Sequence, residues 1–182
     1  MSTLTVQNIQ GSSSSGNKIQ VASGHVLQAP GHILQVKQVQ FLGNYNFNDA
    51  SYQDITNLTL DITPSSTSNK ILAKCILCAS ANSNQRFGVR IVRDGSMIFT
   101  PTSISSRTAA HVFGDGAGSN KPTMPSVIEL LDAPSSTSSL TYKVQAHCEA
   151  SSTLYINSTE TWSDDYTKFG AVSTLTLMEI AG

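Results

Sequence analysis

Tyr142, Val144, Ala146 and Cys148 alternate with Lys143, Gln145, His147 and Glu149, so an extended backbone puts every apolar side chain of this run on one side and every polar one on the other. A helix would scatter the same residues around its circumference. The run therefore predicts a strand with one wet face, and the rest of the chain must supply a second layer to cover the dry one.

Other segments repeat the pattern. Leu58, Leu60 and Ile62 alternate with Thr59 and Asp61, and Val36-Lys37-Gln38-Val39-Gln40-Phe41 begins another strand-like stretch. Phe87, Val89 and Ile91 share a face that Arg90 opposes. Asp94-Gly95 then predicts a tight hairpin into Met97-Ile98-Phe99, because that dipeptide accepts the positive φ angles such a turn needs. Leu154-Tyr155-Ile156-Asn157 reads as a further short strand. Near the end, Leu175 and Leu177 face one way while Met178 and Ile180 face the other with Thr174 and Thr176, as expected of a central strand or of one packed on another subunit. Residues 101 to 125, richer in Pro, Gly and Ser, read as a long surface excursion.

An internal echo orders these segments. Pro64-Ser65-Ser66-Thr67-Ser68 separates two apolar runs, and Pro134-Ser135-Ser136-Thr137-Ser138 separates two more. The pair is expected to form corresponding corners of an antiparallel, all-β, jelly-roll-like sandwich. A chain of 182 residues suffices for one such domain. With 13% charged residues and a formal net charge of −1, it has no long-range pull toward nucleic acid or anionic lipid. No apolar stretch approaches the roughly 20 residues of a membrane helix.

The first residues differ from the rest. Leu4 and Val6 share one face of an extended segment that continues to Ile9, and a Ser-rich break follows between Gly11 and Gly16. Gly24-His25-Val26-Leu27-Gln28 recurs as Gly31-His32-Ile33-Leu34-Gln35. Pro30 and the two glycines oppose a coiled coil, leaving two short extended segments that need neighbouring copies or a host surface. The expected division is an attachment or stem segment at 1–35, with Leu4, Val6 and Ile9 as particle contacts, and a sandwich at 36–182.

Candidate chemistry is sparse. Cys75 and Cys78 have the spacing of a metal or redox pair, but in a strand they point to opposite faces and read as small core or interface residues. Zinc would need further ligands, for which Cys148 and His147 are chemically suitable. His25 and His32 offer a second arrangement, a metal on a threefold axis of three chains; ordinary packing or exposure is the alternative. Trp162, Asp164, Asp165 and Tyr166 form a compact acidic and aromatic group, readable as a receptor contact or as a capped loop. Arg86 and Arg90 align while Arg93 opposes them, which splits the one local concentration of cations. Asn57-Leu58-Thr59 and Asn157-Ser158-Thr159 match the glycosylation pattern. No nucleophile elbow, phosphate loop, zinc-protease motif or dinucleotide fingerprint is present. The expectation is a protein that is not an enzyme and uses no cofactor or metal.

The segments Leu4-Thr5-Val6-Gln7-Asn8-Ile9, Asn17-Lys18-Ile19-Gln20, Asp132-Ala133-Pro134-Ser135-Ser136-Thr137-Ser138, Thr141-Tyr142-Lys143-Val144-Gln145, Tyr155-Ile156-Asn157 and the run from Ser173 to Gly182 resemble small structural proteins of marine and cyanobacterial tailed phages, particularly tail-fibre or receptor-binding tips. The resemblance implies a virion protein, a homotrimer made in the host cytoplasm, whose jelly roll presents a tip to a host-surface glycan or protein receptor. Its partners would be other virion proteins of tail or capsid, with no nucleic acid and no membrane insertion. Two alternatives stand beside this expectation: a capsid decoration or cement protein, and, more remotely, a surface-glycan depolymerase.

Overall fold

A computed structural model describes residues 14, 16, 23, 29–82, 85–102, 105–115, 124–150, 152–159 and 170–182. Strand β9 (Leu140–Cys148) turns Tyr142, Val144, Ala146 and Cys148 into the interior and its polar residues outward, as the alternation requires. Its neighbours are β3 (Gln53–Ile62) and β5 (Arg86–Arg93), and β6 (Ser96–Met97) and β7 (Val112–Asp115) share the far edge of β5. These five strands form one layer.

The opposing layer is built on the long strand β4 (Lys70–Ala81), which has β8 (Met124–Asp132) on one side. On its other side lie β11 (Ser173–Ile180) and, further along, β10 (Leu154–Ile156). β1 (Ile33–Phe41) pairs with β11, and β2 (Tyr45–Phe47) with β10. β11 is thus a central strand. Every pairing is antiparallel, and the inward faces of the two sheets meet in one core that includes Ile71, Leu77, Ile91, Val144, Leu175 and Leu177. The architecture is a jelly-roll-like antiparallel sandwich.

The two Pro-Ser-Ser-Thr-Ser segments are its corners. The first carries the chain from β3 to β4, from the five-stranded to the six-stranded sheet, and the second carries it back from β8 to β9. Because Ile62 pairs with Leu140 and Ile71 with Asp132, the corners lie side by side at one end. Along one side the sheets curl together: Lys37 Nζ donates to the Asp61 carbonyl at 2.9 Å and Gln35 Nε2 to that of Thr63 at 2.9 Å, joining edge strands β1 and β3.

Two buried carboxylates hold this end. Glu179, 1% exposed, accepts hydrogen bonds from Gln35 Nε2 (2.6 Å), Ser65 N (2.6 Å), Ser65 Oγ (2.8 Å) and Asn69 Nδ2 (2.5 Å). Burial raises its pKa, but the four donors outweigh burial and hold it below the usual value. Asp132 accepts from Arg93 and, at 2.6 Å, from the Tyr142 hydroxyl, whose own pKa is driven up by burial and then by this carboxylate. Arg93 therefore serves the interior, opposite Arg86 and Arg90 on the strand.

Left-handed residues mark the irregular points. Asp94 and Gly95, at φ 49° and 83°, make the expected hairpin turn between β5 and β6. Asn57, at φ 71°, sits in a bulge that carries β3 from Asp54, opposite Gln145, to Thr59, opposite Lys143, so both Ile55 and Leu58 reach the core. Asn157, at φ 59°, is buried after β10, donating to the carbonyls of Phe41 and Gly43 and accepting from Ser173 Oγ. A side chain so engaged is not available to a glycan.

Candidate functional site

On the outer face of the five-stranded sheet, a glycine in mid-strand makes a hollow. Gly88 has the Tyr52 hydroxyl and the His147 ring on either side, and a Cβ there would lie 3.0 Å from the first and 3.1 Å from the second. The Tyr52 and His147 rings are 4.8 Å apart, and the Arg90 guanidinium lies 3.7 Å over the Tyr52 ring. Arg90 Nε also donates to Gln145 Oε1 at 2.8 Å, fixing the cation on this face. Burial pushes the Tyr52 phenol up to about 12, against the Arg90 cation, which by itself would lower it.

The hollow becomes a cavity because the segment between β6 and β7 folds beside it. Tyr52 donates its hydroxyl proton to the Ala109 carbonyl at 2.6 Å. His111 ties the same segment to β5: its backbone N–H donates to the Val89 carbonyl at 2.9 Å, and its Nδ1 accepts the Ile91 N–H at 3.0 Å. An accepting Nδ1 carries no proton, so Nε2 is the protonated nitrogen and donates to the Phe99 carbonyl at 3.0 Å. Pro101, Thr102, Thr108 and Ala110 then wall a cavity of about 520 Å³, within the range of small-molecule sites.

Its rim mixes an aromatic ring with charge. Phe113 lies opposite Gly88 in the ladder and is 78% exposed. Arg86 Nε stands 3.6 Å from Asp115 Oδ1, and its Nη1 3.7 Å from Glu149 Oε1. Glu149 Oε2 accepts the Arg86 backbone N–H at 3.0 Å. His147 lines the same cavity; burial lowers its pKa and Arg90 lowers it further, against the pull of the Cys148 backbone and Glu149. Its Nδ1 is buried without a hydrogen bond of ordinary geometry.

A second surface lies on the outer face of the six-stranded sheet. The ladders align Val36 with Met178, Met178 with Leu72, and Leu72 with Leu131, one apolar row crossing four strands. Val36 is 56% and Leu131 44% exposed. The next row, Gln38, Thr176, Lys74 and Glu129, is polar, with Lys74 Nζ 3.2 Å from Glu129 Oε2. Ile76 and Val127 bring the apolar character back in the row beyond.

The particle contacts expected at Leu4, Val6 and Ile9, and the receptor group of Trp162, Asp164, Asp165 and Tyr166, lie outside the described residues, as does His25. His32 is exposed. Cys75 faces the core and Cys78 the outer face of β4; burial raises both thiols, Cys75 to about 12. Among the described residues no three of His, Cys, Asp and Glu gather as a metal site, and no helix is long and apolar enough to cross a membrane. The cavity residues escaped the sequence reading because they come from separate segments. The signal present was Gly88 inside a strand, which marks close approach of another group.

No family model matches the chain, and no curated protein does. Solved structures that align with it include the VP2 subviral particle of infectious bursal disease virus, at 13% identity and a TM-score of 0.41 over 91% of this chain and 42% of the other. The T13 particle of the same virus aligns at 12% identity and a TM-score of 0.39, over 90% and 40%. The chain thus spans less than half the length of these structures. They are particles of an icosahedral virus, and the expected kinship with bacteriophage tail fibres is corrected accordingly. The physical reason is visible in the fold: the described segments behind that resemblance are a sandwich corner (132–138) and pieces of β9, β10 and β11, which any antiparallel sandwich can use wherever its particle carries it.

Proposed function

We propose that this chain is a non-enzymatic structural subunit of a virus capsid, a jelly-roll module that decorates or cements the shell. The observation that carries the reading is the row Val36, Met178, Leu72 and Leu131 on the outer face of the six-stranded sheet. Four strands at their usual spacing give that row a breadth of roughly 15 Å. It contributes nothing to the core, whose inward faces are filled by other residues, and a contiguous apolar strip of this kind marks an association surface. Jelly rolls serve repeatedly in viral shells.

The occupant of the strip is another copy of the chain. Lys74 and Glu129 run beside it as adjacent opposite charges, so a second copy offers each of them its complement. Copies gathered as a homotrimer would add their weak contacts to the shell at high effective concentration. The residues that precede β1 then serve as the attachment segment, and the sandwich from β1 onward as the module. Labelling of intact particles with an antibody to the chain is expected to decorate the capsid at regular intervals; particles that carry no label on the shell overturn the assignment.

A further inference from the structure

We propose that the cavity around Gly88 is a binding site for an uncharged sugar, a hexopyranose or N-acetylhexosamine unit. Three observations point to that chemistry. First, Phe113 presents its ring almost entirely to solvent beside the cavity, on the same face as Gly88 and His147. An exposed Phe does nothing for the core and offers a flat apolar platform, the surface on which the C–H face of a pyranose stacks.

Second, the charges at the mouth are mixed. Arg86 and Arg107 line the cavity with Glu149, and Asp115 stands against Arg86. Charges of both signs thus meet at the mouth, so neither an anion nor a cation finds a site of one sign alone. Third, Asp115 and Glu149 offset the Arg86 guanidinium without hydrogen-bonding to it. At 3.6 and 3.7 Å the contacts of Arg86 with Asp115 and Glu149 exceed hydrogen-bond length. The side-chain donors of Arg86 and the acceptors Asp115 Oδ1 and Glu149 Oε1 therefore remain within reach of vicinal hydroxyls, which need both. Gly88 lets the Tyr52 and His147 side chains pack close against the backbone, so that the strand itself and the His147 ring form the floor.

The site is separate from the apolar strip on the opposite sheet, so it stands whether or not that strip mediates assembly. Saturation-transfer NMR on the full chain, with methyl glycosides of glucose, galactose and mannose, N-acetylglucosamine and N-acetylgalactosamine, tests it, with glucuronic acid and glucosamine as charged comparators. We expect transfer to at least one neutral sugar. Phe113→Ala should weaken it about tenfold or more, the loss of one stacking contact of about 1.4 kcal/mol. Gly88→Ser should do the same by forcing the His147 and Tyr52 rings from the positions they hold against the strand. Phe113 is solvent-exposed, so its variant should keep the circular dichroism and melting temperature of the parent. Absence of transfer to every neutral sugar overturns the proposal, as does binding unchanged by Phe113→Ala. Transfer to the charged sugars alone overturns the ligand class.

Discussion

At the scale of single residues, Glu179 is the most consequential side chain outside the apolar core. It shares the inward face of β11 with Leu175 and Leu177, where a carboxylate is costly unless its lone pairs are filled. Four donors from β1 and the first corner fill them, so the residue couples three segments distant in sequence. Glu179→Gln keeps the shape but sets an amide NH₂ against those donors. The expected loss is about 1.5–3 kcal/mol, the range for hydrogen bonds to a charged group, read from urea unfolding; an unchanged midpoint would show that the corner is held without it. Because the folded pKa lies below the ordinary value, the contribution is fully present above about pH 4.5 and is lost as pH falls through the folded value. This residue was not legible in advance. The alternation of 173–180 assigns it to the Leu175 face, and only the folded positions of Gln35, Ser65 and Asn69 explain why a charge belongs there.

At the scale of elements, the segment between β6 and β7 is fastened by a titratable staple. His111 must keep Nδ1 unprotonated to accept the Ile91 N–H, and burial, assisted by Arg90, lowers its pKa against the opposing pull of the Phe99 carbonyl. A depressed folded pKa means that the staple is complete above the unfolded value, about 6.5, and fails as pH falls through the folded one. The protection factor of the Ile91 amide should therefore drop between pH 7 and pH 5, while that of Val144 in β9 holds. Equal behaviour of the two amides would remove His111 as the fastener. Strands and their faces were largely readable, since β5, β9 and β11 each carry one clean period, and the repeated Ser-rich corners gave their connection. The bulge at Asn57 was not, because Leu58, Leu60 and Ile62 keep period while Ile55 joins them only through a left-handed residue. The cavity stayed hidden for a different reason: its floor, rim and wall come from β5, β7, β9 and the segment that follows β6.

At the scale of the whole molecule, the sandwich has two outer faces of different character. The face around Gly88 is polar and hollowed, whereas the face of β1, β11, β4 and β8 carries apolar side chains in register across the sheet. If the apolar row served stability, replacing its exposed members would unfold the protein; if it serves association, the same change would leave the fold and separate the copies. Val36 and Leu131 discriminate between these because they are 56% and 44% exposed and lie at opposite ends of the row. Substitutions at such positions usually change stability by no more than about 0.5 kcal/mol, while two carboxylates brought into an apolar interface must be desolvated without partners. The double variant Val36→Asp, Leu131→Asp should therefore melt within a few degrees of the parent and run as a monomer in native mass measurement, where the parent runs as an oligomer. A parent that is itself monomeric at micromolar concentration, or a variant that keeps the parent's mass, would exclude this face as the contact between copies. A variant that no longer folds would assign the row to the stability of the sandwich.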